Sequence, residues 1–346
     1  VSRSTTKPSL LHGLAAVSFS ATAGAAAALI LTACSPGSTA ATDDPAPQSS
    51  PAPQGLLTEA AAEKIVDTFQ SVNNRANAVR DAKLLGTVEA GQVYEQDSAD
   101  YKLFKTWPTK EQKTYTQAFT YEDREYLIPP ASSGANWFAV TSSPSDDPKG
   151  NRRSLAVFDK VGDTYKLVMA LWTDMKSIPK IDTDRHGFIS PVDPAKKVGT
   201  LAPNEISAVY EDFFETGGKT ASHKLASTPT TKESVRIYKV RNDGDAGTWS
   251  TTRFFAADPA HPKVYALRLE NGGVLALVPT AHTEEQILKP AYMGNFLITP
   301  SKREAVFGNT RRTVITNEYQ GQAIVELPRT GKPLAHDLEY QLVDSR

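Results

Sequence analysis

Two stretches of this 346-residue chain place metal-ligand residue types at a useful spacing. Asp182-Thr-Asp184-Arg-His186-Gly187-Phe-Ile189-Ser190-Pro191-Val-Asp193 has acids at the first, third and twelfth positions of a calcium-type loop and a glycine at the sixth. His186 stands where an oxygen ligand belongs, and Asp193 is one methylene shorter than the glutamate that closes such loops bidentately. Pro191 and the Pro/Lys-rich flanks do not fit the helices that should frame the loop. The stretch therefore reads as a polar connector. Asn242-Asp243-Gly244-Asp245-Ala246-Gly247 alternates acids and glycines as metal loops do, and equally as exposed turns do, and is read as a turn. Among His186, His223, His261, His282 and His336 there is no H-x-x-x-H or H-E-x-x-H pair of the zinc-protease kind. His261, between Pro259 and Pro262, and His282, just before Glu284-Glu285, are expected on surface or loop. There is no G-x-S-x-G elbow, phosphate loop or dinucleotide fingerprint. No catalytic, cofactor-binding or metal-ligating residue is assigned, and no cofactor is expected.

The remaining reactive group is Cys34, the single cysteine, which excludes intramolecular disulfides. Residues 1–12 are polar, with Arg3 and Lys7 and no acid. Residues 13–30 are Ala, Val, Phe, Leu and Ile broken only by Ser, Thr and Gly, the pattern of an export signal. Alanine dominates the run and a small-small-Cys site ends it, which favours a cleaved signal over a membrane span. Val1 stands where an initiation codon would be, so the chain is expected to be the unprocessed precursor.

Leu31-Thr32-Ala33-Cys34 resembles the lipobox of bacterial lipoproteins. That resemblance implies lipid attachment at Cys34, through a thioether to diacylglycerol, and a mature chain on the outer face of the cytoplasmic membrane. One acyl chain holds only marginally and two hold stably, at about 0.8 kcal/mol per buried methylene. Residues 35–55 are Ser, Pro, Ala, Thr, Gln and Asp, with Pro36, Pro45, Pro47, Pro51 and Pro53. Such a segment cannot bury apolar surface and is expected to be a disordered tether reaching up to roughly 60 Å.

The formal net charge is −1, and since Arg3 and Lys7 precede Cys34 the part downstream is slightly more acidic. No electrostatic case for nucleic-acid binding exists. Arg152-Arg153, Lys196-Lys197 and Arg311-Arg312 are isolated basic pairs expected in solvent. Hydrophobic content of 40% and charged content of 22% are ordinary for globular domains, and the length suits about two of them.

The elements divide accordingly. Thr58 is a good N-cap for a helix with Ile65, Val66, Phe69 and Val72 in one stripe, and further helices are expected over 75–85 and 88–94. Strands are expected over 115–119, 124–128, 137–141, 155–159 and 165–172, the last two as a hairpin. A helix after Pro203 carries Val209, Tyr210, Phe213 and Phe214 and stops at Gly217-Gly218. Strands return at 235–240, 251–256, 264–269, 274–278, 295–299, 313–319, 323–327 and 339–343. Asn271-Gly272-Gly273 is the best hairpin turn. The expected division is residues 1–33 signal peptide, 34–56 tether, 57–180 first domain, 181–200 linker and 201–346 second domain. Helices followed by strands, twice over, make the fold class α+β, with two tandem domains each packing N-terminal helices on a curved antiparallel sheet.

That order resembles the cone-shaped fold of nuclear transport factor 2-like and cystatin-like domains. The lipobox, the Ser/Pro tether and the segment Asn73-Asn-Arg-Ala-Asn77 … Asp81-Ala-Lys-Leu-Leu85-Gly-Thr-Val-Glu89-Ala-Gly91 together resemble an uncharacterised family of actinobacterial lipoproteins. The resemblance implies no activity. In a cone fold, Tyr115, Phe119, Tyr126, Trp137, Phe138, Phe158 and Trp172 would line a pocket or fill a core, and core is the reading adopted. The expected function is a non-catalytic, membrane-anchored module binding an unidentified protein, peptide or envelope ligand. The alternative is an enzyme doing proton transfer in a cone-fold pocket.

Overall fold

The structure, a computed structural model, describes residues 53–145 and 153–346. It is α+β, with two domains that each lay helices on one face of an antiparallel sheet. In the first, α1 (Glu59–Val79) is followed by α2 (Ala82–Leu85), α3 (Gly91–Leu103) and α4 (Thr109–Tyr115). The strands β1 (Tyr121–Leu127), β2 (Trp137–Pro144), β3 (Arg153–Val161) and β4 (Thr164–Thr173) then form a simple meander. In the second, α5 (Ile206–Glu215), α6 (Pro229–Val240) and α7 (Ala246–Trp249) precede β5 (Ser250–Ala256), β6 (Tyr265–Arg268), β7 (Val274–Leu288), β8 (Val314–Leu327) and β9 (Leu334–Ser345). The order is β5-β7-β8-β9, with β6 also on β7. β5 takes residues 282–288 of β7 and β6 takes 274–277, so two short strands cover one edge of a long one.

Alternation along the strands fixes how the layers stack. Phe138 and Val140, Ala156 and Phe158, and Ala170 and Trp172 face α1, where Ala62, Val66 and Phe69 cover them. Their neighbours Trp137 and Ala139, Leu155 and Val157, and Met169 and Leu171 face the other way, onto Tyr265, Leu267, Leu275, Leu277 and Ile324 of the second sheet. Ala276, Val278, Ala323 and Val325 of that sheet in turn face Ile206, Val209, Tyr210 and Phe213 of α5. The molecule is thus a stack of helix, sheet, sheet and helix. β2, β3 and β4 each have an unbroken run of six or seven buried positions because both faces are covered there.

The chain between the sheets joins this core. Ile178 and Ile189 are buried in it, Ile181 bridges Leu269, and the N–H of Val192 donates to Ala266 O at 2.9 Å. Across the interface, Tyr265 Oη and Lys263 Nζ both donate to Asp159 Oδ2, at 2.7 and 2.5 Å.

The strands expected at 313–319 and 323–327 are one strand, β8, the helix expected over 88–94 begins at Gly91 and runs to Leu103, and three further elements differ in kind. Residues 235–240 are not a strand but the second half of α6. Thr228 caps that helix through Thr231 N at 3.2 Å, Thr231 Oγ1 accepts from Thr228 N at 2.9 Å, and Pro229 takes the first turn. The start signal overrides the β-branched Val235 and Ile237. Residues 295–299 form a loop tied to the sheet by Ile298–Arg312 pairing, and 115–119 finish α4 and lead into β1. Phe119, Phe138, Phe158 and Trp172 pack beneath α1, and Trp137 packs on Tyr265.

If the sheet-to-sheet face is the common core, Leu277→Ala should cost about 2–5 kcal/mol in urea unfolding. Far-UV circular dichroism and tryptophan fluorescence should then report one shared transition. Two separated transitions would contradict the packing.

Candidate functional site

Two places concentrate functional groups. The first lies at the seam between α1, α3 and β4. Asn73 and Asn77, one turn apart on α1, continue the buried stripe begun by Val66 and Phe69. Asn73 Nδ2 donates to Glu89 Oε1 at 2.8 Å, Asn77 Nδ2 to Asn73 Oδ1 at 2.7 Å, and Tyr101 Oη to Asn77 Oδ1 at 2.6 Å. Glu89 is held by its own backbone. Residues 88–90 run beside β4, with Leu167 N donating to Val88 O and Ala90 N to Leu167 O, each at 2.9 Å. Gly91 (φ 66°) turns the chain into α3 so close to β4 that a Cβ there would lie 3.1 Å from Val168.

Asn73, Asn77, Glu89 and Leu167 border a cavity of about 10 Å³, lined also by Phe69, Asp97, Phe119 and Tyr121, which is room for about one water molecule. Burial first, then the charge of Asp97, pushes the Glu89 carboxyl well above the usual range against the Asn73 hydrogen bond. Burial pushes Asp97 up to about 7. Glu89 Oε2 has no hydrogen-bond donor among the described residues, so a proton held between the two carboxyls satisfies it. Burial and then Asp97 also raise Asp100, whose Oδ1 accepts from Gln341 Nε2. The further amides on α3 cross to the second sheet. Gln92 Nε2 reaches Thr280 O, Gln320 Oε1 and Gly321 O at 2.8–3.1 Å, Gln96 Nε2 reaches Gln320 O at 3.1 Å, and Gln322 Nε2 donates to Gln96 Oε1.

The second place is an open groove of about 530 Å³ in the outer layer, between α6 and the loop that ends α5. Phe213, Leu225, Ala226 and Val235 supply its apolar lining, Lys232, Arg236 and Lys239 its cationic rim, and His223 also borders it. The loop is wrapped around Asp212. Its Oδ2 accepts the N–H groups of Thr220, Ala221 and Ser222 at 3.0, 2.8 and 2.9 Å, and its Oδ1 accepts the Thr216 hydroxyl. Burial pushes this carboxyl up, but the Thr216 hydroxyl and the three N–H groups outweigh it and hold it at about 2. Gly217 (φ 74°) lets the loop pass under α6, since a Cβ there would sit 2.5 Å from the Tyr238 ring. Tyr210 Oη and Ser234 Oγ, 2.8 Å apart, join α5 to α6.

Cys34 lies outside the described residues, as does Arg152. Asp184 spends its Oδ1 on its own turn, accepting from His186 N at 2.8 Å and Phe188 N at 3.0 Å. The Phe188 bond is the chief cause of its lowered proton affinity. Asn242 caps β5 by accepting Thr252 N at 2.6 Å. No group of three metal-ligating side chains occurs among the described residues. His261 is exposed and pairs with Glu95 at 3.1 Å.

His282 is the correction. It is buried mid-strand in β7, 3.2 Å from the buried Glu211, between the rings of Phe214 and Tyr319 at 4.5 and 5.0 Å. The acids after it misled, because they lie farther along a strand whose this face is covered by α5. Sequence reasoning also missed Asp97 and the α6 cations. Lys232, Arg236 and Lys239 at i, i+4 and i+7 would have been readable once Thr228-Pro229 was taken as a helix start.

The fold and its sites define a two-domain α+β protein with a carboxyl pair at a narrow inner cavity and an amphiphilic groove outside. The chain belongs to the family described as Domain of unknown function (DUF8094), which matches residues 53–344. It is 30% identical over 319 residues to an uncharacterized lipoprotein of Streptomyces coelicolor, covering 88% of this chain and 87% of the relative. A second uncharacterized lipoprotein of that organism is 24% identical over 250 residues, covering 71% and 72%. An uncharacterized lipoprotein of Streptomyces avermitilis is 21% identical over 266 residues, covering 75% of each chain. No solved structure matches. The family is thus one of actinobacterial lipoproteins. Among the described residues, no helix is long and apolar enough to cross a membrane.

The unfolded chain releases the Asp97 proton near about pH 4, while the folded chain holds it to about 7. Stability should therefore fall as pH rises through that interval. Asp97→Asn can donate to Glu89 without a proton. It should flatten this slope and raise the melting midpoint at neutral pH by roughly 2–4 °C. A wild-type midpoint that does not fall between about pH 5 and 7.5 would contradict the shared proton.

Proposed function

We propose that the protein is a lipid-anchored binding module of the cell envelope. Cys34 carries the anchor at the outer face of the cytoplasmic membrane, and the α5–α6 groove receives a ligand. The relatives are lipoproteins, which supports the anchor, and Leu31-Thr32-Ala33-Cys34 supplies the residue for it. The observation that carries the binding role is the groove itself. At about 530 Å³ it falls among ligand pockets, and it joins an apolar lining to a few polar groups as they do.

The enzyme reading has one observation in its favour. Glu89 and Asp97 are convergent carboxyls of raised proton affinity, as acid–base sites often are. Their cavity of about 10 Å³ has space for water but none for an organic substrate, so the pair is read as a structural proton site and the groove as the working surface.

Cys34→Ala should leave the protein unprocessed or release it to the medium. Processed protein that stays in the membrane fraction would overturn lipidation at that residue. For the groove, Val235→Trp should fill the lining without unfolding the protein, and should abolish capture of the envelope component taken up by a photo-crosslinker placed at Lys232. Unchanged capture would move the binding site elsewhere.

A further inference from the structure

The groove is built from the most cationic part of the described chain. Residues 217–241 hold Lys219, Lys224, Lys232, Arg236, Lys239 and Arg241 against the single acid Glu233, in a protein whose net charge is −1. The folding of α6 sorts these charges. Lys232, Arg236 and Lys239 fall at i, i+4 and i+7, one stripe on one helical face, and all three are exposed and border the groove. Glu233 reaches Arg236 at 2.6 and 2.7 Å, which leaves the outer two cations of the stripe without a carboxylate partner among the described residues. Arg241 is turned away, its guanidinium 3.6 Å from the Tyr238 ring.

Below the stripe the surface changes character. Val235, on the same helical face as Lys232 and Lys239, is half-buried, and Phe213 and Leu225 are buried beneath it. Gly217 and Gly218 form part of the loop wall and present no side chain to the groove. A purely apolar ligand would leave the cations unused. A bare anion would leave the apolar lining wet. Only a molecule with both parts uses the whole surface, and the cations gain in strength where an apolar neighbour excludes water.

We propose that this groove binds a single-chain amphiphilic anion. Its hydrocarbon part would lie on Phe213, Leu225 and Val235, and its phosphate or carboxylate head on Lys232, Arg236 and Lys239. The assignment rests on reading the groove as the ligand site, and it adds the chemical class of the ligand.

Isothermal titration of the protein with octyl phosphate, octyl glucoside and inorganic phosphate, all below their micellar concentrations, separates the parts. Octyl phosphate should bind at one site at least tenfold more tightly than octyl glucoside or inorganic phosphate. Lys232→Glu/Lys239→Glu should erase that tenfold preference and leave octyl glucoside binding as it was. The single change Lys239→Gln, at an exposed position that folding does not depend on, should lower octyl phosphate affinity about threefold. Equal binding of octyl phosphate and octyl glucoside would overturn the anionic class while the groove remained a ligand site. Inorganic phosphate binding as well as octyl phosphate would overturn the amphiphile. No binding of any of the three would overturn both this proposal and the groove as the ligand site.

Discussion

The rest of the structure depends on the packing of one sheet against the other. Leu155, Val157, Met169 and Leu171 on one side and Leu267, Leu275, Leu277 and Ile324 on the other are all at or below 2% exposure. Burying such side chains contributes roughly 1.5–3 kcal/mol each, and neither sheet could hold this face in water alone. Once the faces meet, the helices have only the outer surfaces left. α1 must lie on the first sheet and α5 on the second, and α6, braced by Tyr210 and Ser234, becomes part of the outermost layer where it can meet a ligand.

The same packing creates a problem at its rim. α3 lies beside β4, the edge strand of the first sheet, and against the middle of β7, β8 and β9, and its inner face meets backbone carbonyls and strand amides. Gln92, Gln96 and Asp100 answer those groups with hydrogen bonds to β7, β8 and β9, as buried polar groups require. Glu89, just before that helix, and Asp97, on it, border the small cavity toward α1 and β4, with room for little more than water. They cannot both ionise cheaply there, and a retained proton is the least costly solution. The inner site and the open groove thus follow different physics. The first is polar and narrow, with Glu89 buried and Asp97 half-buried, and it joins α1 to α3 and β4. The second is shallow, amphiphilic and far from the sheet-to-sheet core.

Much of this was legible. Helices before strands in each half, the cap at Thr58, the helical turn that opens at Pro203, and the 153–172 hairpin all follow from local residue choice, and the structure has them. The segment from Asn73 to Gly91 that resembles the lipoprotein family supplies Asn73, Asn77 and Glu89 of the buried network, which gives those residues a physical meaning. What sequence reasoning missed was non-local. Phe138-Ala-Val-Thr, Leu155-Ala-Val-Phe158 and Leu167-Val-Met-Ala-Leu-Trp172 are unbroken apolar or near-apolar runs, the sign of strands covered on both faces, and they could have announced the stack. The amide contacts between Gln96 and Gln322 span 226 residues, and no spacing rule reaches that far. At α6, the branched side chains at 235 and 237 outweighed a good cap on paper, and the groove went unseen with the helix.

The central claim is that two sheets share one core on which everything else is mounted. Native-state hydrogen exchange tests it most directly, through the amides of β2 and β3 in one sheet and of β7 and β8 in the other. If the account is right, the slowest amides in all four strands exchange only through global unfolding, with one opening free energy and the same dependence on denaturant. If the amides of β2 and β3 open at a clearly lower free energy while β7 and β8 stay protected, the sheets do not depend on one another and the account is wrong.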